Sequence, residues 1–184
     1  MQHTLIALVE NKPGVLNRVA SLFRRRNFNI ESLNVGHTDN ADISRMTIVV
    51  DSDQVDARKV EANLYKLVNV IDVHDVTSQP AVMRDLALIK VKAELDQRAE
   101  IANLASIFRG HIVDVAPQSV IVEITGTEDK IDSLTELLRP FGIIEMVRTG
   151  QVAMIRGNQI PVRHIPGAGS NGHHKEEIPD EVFN

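Results

Sequence analysis

The chain has 184 residues, 43% hydrophobic and 24% charged, enough for one mid-sized domain or two small ones. A formal net charge of −5, one Tyr, no Trp and five Phe supply neither a basic surface nor a base-stacking platform, which argues against nucleic acid as a partner. Cysteine is absent, which excludes a disulfide framework, a thiol nucleophile and a thiolate metal site.

Thr4–Val9 (TLIALV) is apolar on both faces and suits a central strand. Val15, Leu16, Val19, Leu22 and Phe23 then recur at helical spacing, with Asn17, Arg18 and Ser21 opposite, and predict one buried helical stripe over Val15–Phe23. Asn29–His37 and Ser44–Asp51 read as strands joined by the polar turn Thr38–Asp42; in the second, Met46, Ile48 and Val50 alternate with Arg45, Thr47 and Val49. Helical spacing returns at Val60, Leu64 and Leu67 after a Ser52/Asp53 start signal, and Val70–Val76 is a further strand. The order is βαββαβ.

The order then recurs. Leu86–Ala93 is a strand, Glu100–Arg109 a helix, Ile112–Ala116 and Val120–Thr125 strands, Asp129–Leu138 a helix and Ile143–Arg148 a strand, with a short extension at Val152–Ile155. Val19–Arg24 (VASLFR) lines up with Leu104–Arg109 (LASIFR), 85 residues later. The expected architecture is α+β: two ferredoxin-like βαββαβ modules, residues 1–78 and 84–157, joined near Ser78–Arg84. From 158 to 184, Gly, Pro, His and charged residues dominate without a period, and a flexible tail is expected. The apolar runs are far shorter than a membrane span, and Met1–Glu10 lacks the basic region and apolar core of a signal peptide, so a cytoplasmic chain that does not contact a membrane is expected.

The modules differ at their first junction. Module one carries Asn11-Lys12-Pro13-Gly14 between strand and helix, where module two has Ala93–Ala99 (AELDQRA) without Pro or Gly. Two readings stand. One is a Pro-Gly turn with Asn11 capping the helix. The other is a carboxylate niche, since a helix N-terminus offers unpaired N–H groups and Gly14 leaves no side chain in front of them. After the helix, Asn27 falls where a left-handed residue is usual, and Arg24, Arg25 and Arg26 complement the helix dipole, a reading preferred to a docking patch for an acidic partner. Asn29 opens a strand expected at a sheet edge, free to pair with another copy.

Catalytic and metal motifs fail on context. Gly167–Gly172 fits GxGxxG but follows Pro166 rather than a strand and precedes HHKEE rather than an apolar helix. His173-His174 is an incidental pair, and Asp39, Asn40 and Asp42 lack the Gly and distant Glu of a calcium loop. Arg18 and Asn17 are helical, not loop-borne as an acylphosphatase-type site requires, and Thr4–Val9 and Ser44–Asp51 lack the aromatics of an RNA-binding sheet. No Ser-centred elbow, Walker loop or paired-carboxylate cleft stands out.

The segments ENKPGVLNRV, NFNIESL and ISRMTIVV, with IFRGHIVDV in the second module, resemble the small regulatory subunit of acetohydroxyacid synthase, also called acetolactate synthase. The first module is similar to an ACT domain, an amino-acid-sensing unit, and the likeness spans about residues 1–157. Asn27 departs from it, since the family commonly has Gly there, and Lys12-Pro13 falls where the family varies.

The resemblance implies a regulatory chain of branched-chain amino acid biosynthesis with no catalytic residue, metal ligand or cofactor of its own. Thiamine diphosphate, Mg and FAD belong to the large catalytic subunit, its partner. The chain is expected to form a homodimer in which Asn11, Lys12, Pro13, Gly14, Val15 and Leu16 of one copy face Asn29 and Ile30 of its mate. Valine or another branched-chain amino acid would bind between them, its carboxylate on the amides of Gly14 to Leu16 and its ammonium near Asn29. One methylene in an apolar pocket is worth only about 1–3 kcal/mol, so the sequence does not rank valine against leucine or isoleucine. A free-standing dimeric ACT-type sensor is the alternative.

Overall fold

The computed structural model describes residues 2–51 and 57–157. The first module runs β1 (Gln2–Glu10), α1 (Val15–Arg25), β2 (Ile30–His37), β3 (Ile43–Asp51), α2 (Ala57–Leu64) and β4 (Val70–Asp75), and its four strands form an antiparallel sheet in the order β2-β3-β1-β4. The second runs β5 (Ala81–Lys92), α3 (Arg98–Ile107), β6 (His111–Ala116), β7 (Ser119–Gly126), α4 (Glu128–Leu138) and β8 (Ile143–Arg148), with the matching order β6-β7-β5-β8. A last strand, β9 (Val152–Ile155), pairs with the start of β5. The α+β architecture and the doubled βαββαβ order are as the sequence predicts. The Ser52/Asp53 start signal and the 158–184 segment, with its Gly167–Gly172 and His173-His174 motifs, lie outside the described residues.

Each sheet buries one face under its own pair of helices. Leu5, Ala7 and Val9 of β1 meet Val15, Val19, Leu22 and Phe23 of α1 and Val60 and Leu64 of α2. In the second module Ala87, Ile89 and Val91 meet Ile101 and Ala105 of α3 and Ile131, Leu134 and Leu138 of α4. Two sequence expectations need correction. Leu16 sits on the apolar spacing of α1 yet is 45% exposed, at the edge of a buried stripe made by Val15, Val19, Leu22 and Phe23. Leu67 follows the end of α2 and packs on the core from the turn before β4.

Helices α1 and α3 end in the same left-handed cap. Asn27 and Arg109 both take φ 55°. In each case the next residue's N–H reaches back five positions, Phe28 to the Phe23 carbonyl at 3.0 Å and Gly110 to that of Ala105 at 2.8 Å. The Phe28 ring then packs edge-on to Phe23, with centroids 5.8 Å apart. Gly110 is held by crowding: a β-carbon there would lie 2.8 Å from the Glu123 carbonyl oxygen of β7.

The apolar run suggests a strand from Leu86 and a join over Ser78–Arg84, but β5 starts at Ala81. Ala81–Arg84 pairs with Val152–Ile155, and this two-stranded ribbon crosses the first sheet on the face away from its helices. Ile6, Val76 and Ala153 form a separate buried cluster there, with Met83 and Ile155 packed on it. Strand β1 is therefore buried on both faces from Thr4 to Val9. The Arg45 guanidinium donates to the Ala153 carbonyl at 2.6 Å, and burial lowers its pKa from the ordinary arginine value. Gln151 accepts from the Thr4 hydroxyl at 3.0 Å.

Candidate functional site

Helix α1 begins without a side-chain cap. Gly14, at φ 82°, is its N-cap residue, so Pro13 precedes the helix rather than occupying its first turn. Asn11 does not cap. Its side-chain amide donates to the Ala41 carbonyl at 2.8 Å and its backbone N–H to Asp42 at 2.7 Å, tying the loop to the turn between β2 and β3. The Val15 N–H reaches the Lys12 carbonyl at 3.3 Å and the Arg18 N–H that of Gly14 at 3.0 Å. Leu16 and Asn17 lie between them, where helix geometry provides no carbonyl partner. A β-carbon on Gly14 would meet nothing within 4 Å, so the space before these amides is open. The sequence places the carboxylate on the amides of Gly14 to Leu16, but the Val15 N–H is taken by Lys12, so the bare amides beside the open space are those of Leu16 and Asn17.

The charge beside the loop is organised by residues that the sequence does not single out. The Lys12 ammonium pairs with the Glu10 carboxylate at 3.1 Å, so it is already engaged. Asn69, buried, donates its amide to Glu10 and accepts from the Arg18 guanidinium. The Asn69 hydrogen bond, and then Lys12, hold the Glu10 carboxyl below the usual carboxylate range. A groove of about 490 Å³ next to this network is lined by Asn11, Lys12, Asn40, Asp42, Ile43 and Ile71, which offer carboxylate and amide oxygens beside two aliphatic side chains. Asn69 could be flagged only as a polar residue at a turn; its partners are far away in sequence and come together through the β1–β4 register.

Asn29 and Ile30 lie elsewhere. In the sheet register Ile30 stands opposite Val50, while Glu10 stands opposite Ile43 at the other end of β3. At about 3.3 Å per residue the two halves of the expected site are roughly 20 Å apart within one chain. Asn29 donates its amide to Glu31. Strand β2 is an edge strand whose outer side carries no strand among the described residues. Those residues also hold no group of three or more His, Asp or Glu that could bind a metal, and no helix long and apolar enough to cross a membrane.

Comparison with known proteins gives the same answer for both modules. Residues 84–157 match the family described as the small subunit of acetolactate synthase, and residues 5–72 match the AHAS small subunit-like ACT domain. The chain is 54% identical over 159 residues to a probable acetolactate synthase small subunit of Archaeoglobus fulgidus, covering 86% of this chain and 99% of that one. It is 47% identical over 155 residues to the acetolactate synthase small subunit of Mycobacterium bovis, covering 84% of this chain and 92% of the relative. Among solved structures, the acetolactate synthase small subunit of Thermotoga maritima superposes with a TM-score of 0.80 at 41% identity, covering 86% of this chain and 99% of that one.

Proposed function

The chain belongs to the family of acetolactate synthase small subunits, non-catalytic regulatory partners of a large subunit, and from that premise we propose that it activates the large chain and confers feedback inhibition by valine or a related branched-chain amino acid. The observation that carries the ligand reading is the uncapped first turn of α1, opened to solvent by the left-handed Gly14. Two bare amides and a helix dipole favour a carboxylate there. Such a site suits a zwitterion if a second group of oxygens faces it.

A second copy supplies that group. Two β2 edges pairing antiparallel about a two-fold axis run in opposite directions, so the Ile30 end of one lies beside the His37 end of the other. His37 pairs with Ser44 at the end of the sheet where Asn11 is tied to Ala41 and Asp42. Each niche then meets Asn29 and Ile30 of its mate, and the pair of chains holds two equivalent ligand seats at its seam. The free-standing sensor is the weaker reading, since the second module itself matches the small-subunit family over residues 84–157.

Calorimetric titration of the purified chain with valine, leucine and isoleucine, beside sedimentation, tests the proposal. Binding of at least one of them to a dimer is expected. Binding of none, or a protomer that stays single at all concentrations, would sink it. Mixed dimers of Gly14→Asp and Asn29→Ala chains test the crossing: one seat in such a dimer takes both substitutions and the other takes neither, so half of the binding capacity should survive.

A further inference from the structure

We propose that Thr149–Gln151, the link between β8 and β9, is a strap that transmits ligand occupancy from β2 to the second module. This rests on the ligand reading above and extends it to how the signal leaves the site. The observation behind it is a contact between the two modules immediately next to Asn29 and Ile30.

Strand β2 has a register shift between Ile30 and Ser32 that leaves Glu31 as an extra residue. Just past it, the Ser32 hydroxyl accepts the Gln151 N–H at 3.2 Å. Gly150 lies so close that a β-carbon on it would stand 2.1 Å from the Ser32 hydroxyl oxygen, and its φ of 78° is itself a glycine conformation. The strap is thus seated on β2 one residue beyond the bulge. A shift of Asn29 or Ile30 must either move Ser32 or be absorbed by Glu31.

The other end of the strap is fixed in the second module. The Thr149 hydroxyl donates to the buried Asp85 carboxylate at 3.1 Å and accepts the Leu86 N–H at 3.2 Å. Arg148, the residue before it, pairs with Asp85 at 2.8 Å and with Asp132 of α4 at 2.8 Å. Displacement of Gly150 therefore reaches β5 and α4 through two anchored side chains. Glu31 also has room to move, because a cavity of about 240 Å³ opens between the modules with Glu31, Ser32, Asp85, Glu128 and Arg148 among its lining residues. The void beside the bulge is where a second arrangement of β2 would be accommodated, as coupling between sites requires.

The test uses the full chain reconstituted with its large subunit and L-valine as the probe. Ser32→Ala is expected to bind valine within about twofold of the unsubstituted chain and to activate the large subunit normally without valine. Its inhibition by valine should fall about fivefold or more in coupling strength. Full coupling with intact binding would overturn the strap alone, and loss of valine binding by Ser32→Ala would place Ser32 in the ligand seat and overturn it too. Absence of binding by the unsubstituted chain defeats the ligand reading and shows in the same titration before any variant is used. Two further measurements follow, the first of which does not use that variant. Valine should change hydrogen exchange at the Gln151 N–H of the unsubstituted chain, and no change there rejects the strap. Gly150→Ala should weaken coupling more in the native background than with Ser32→Ala, where the 2.1 Å contact is gone; additive effects would reject it.

Discussion

The Asn11 side chain spans two loops, donating from its amide to the Ala41 carbonyl at 2.8 Å, so the residue that the spacing offers as a helix cap works as a cross-tie. It holds the Gly14 loop against the end of the β2–β3 hairpin, where a mate's Asn29 is proposed to arrive. Asn11→Ala should cost about 0.5–1.5 kcal/mol in denaturant unfolding and should weaken ligand binding, because the amides of α1 lose their fixed aim. Asn11→Asp should behave like Ala, since a carboxylate has no proton to give Ala41. Unchanged binding in both would show that the cross-tie does not set the niche.

Gly14 combines φ 82° with open space, and the two properties can be separated. Gly14→Ala meets no neighbour, so its cost should be conformational only, about 1–2 kcal/mol of stability. Gly14→Asp adds a carboxylate where the ligand's own is proposed to sit. Inhibition by valine should vanish while activation of the large subunit persists. Persistence of both would place the niche elsewhere.

Glu10 titrates with a definite sign. Its folded-state pKa lies below that of the unfolded chain because Asn69, and then Lys12, stabilise the carboxylate. The stability it contributes is complete above the unfolded value, about 4.3, and is lost as pH falls through the lower folded value. The Glu10 carboxyl should show an NMR midpoint below 4.3 in the native chain, and Asn69→Ala should raise it. A native midpoint at or above 4.3 would mean that the Glu10–Asn69–Arg18 network does not form.

Arg109 occupies a left-handed position that favours Gly, while Gly110 next to it is fixed by the nearby Glu123 carbonyl. Arg109→Gly should leave stability unchanged or raise it by up to about 1 kcal/mol, as relief of the strained φ competes with the greater freedom of Gly when unfolded. Gly110→Ala should destabilise by more than that, since its β-carbon meets backbone. Thermal melts of the two variants should move apart, and equal shifts would contradict the cap geometry.

Arg45 binds the modules through the Ala153 carbonyl at 2.6 Å. Arg45→Ala should cost about 1–3 kcal/mol, the range for leaving a buried acceptor unpaired, and should speed hydrogen exchange in β9 ahead of β7. Uniform acceleration across both strands would point to general loosening rather than a released seam.

Much of this was legible in the residues. The alternation of Met46, Ile48 and Val50 located β3 and its core face, and the VASLFR/LASIFR match located the ends of two equivalent helices. Asn27 announced its backbone angle because few other residues tolerate it; Arg109 did not, since Arg has no such preference. The start of β5 carries no local signal, because Ala81–Arg84 owes its strand form to β9, some seventy residues away in sequence. Leu16 shares the apolar spacing of α1 but lies at the stripe's edge, and helical spacing gives the side of a helix but not how wide the covered stripe is. At the candidate site, Gly14 declared itself by type, whereas the Glu10–Asn69–Arg18 network depends on the β1–β4 register and left no local trace.

The double burial of β1 bears on how freely this architecture can be cut and recombined. Severing the polypeptide near residue 78 would strip the ribbon from Ile6 and Val76 and leave a wet greasy patch on the back of the sheet. An excised amino-terminal half should therefore clump or need detergent unless those positions are first made hydrophilic. Sensor grafts onto foreign enzymes would do better carrying β9 and the opening of β5 along as built-in upholstery.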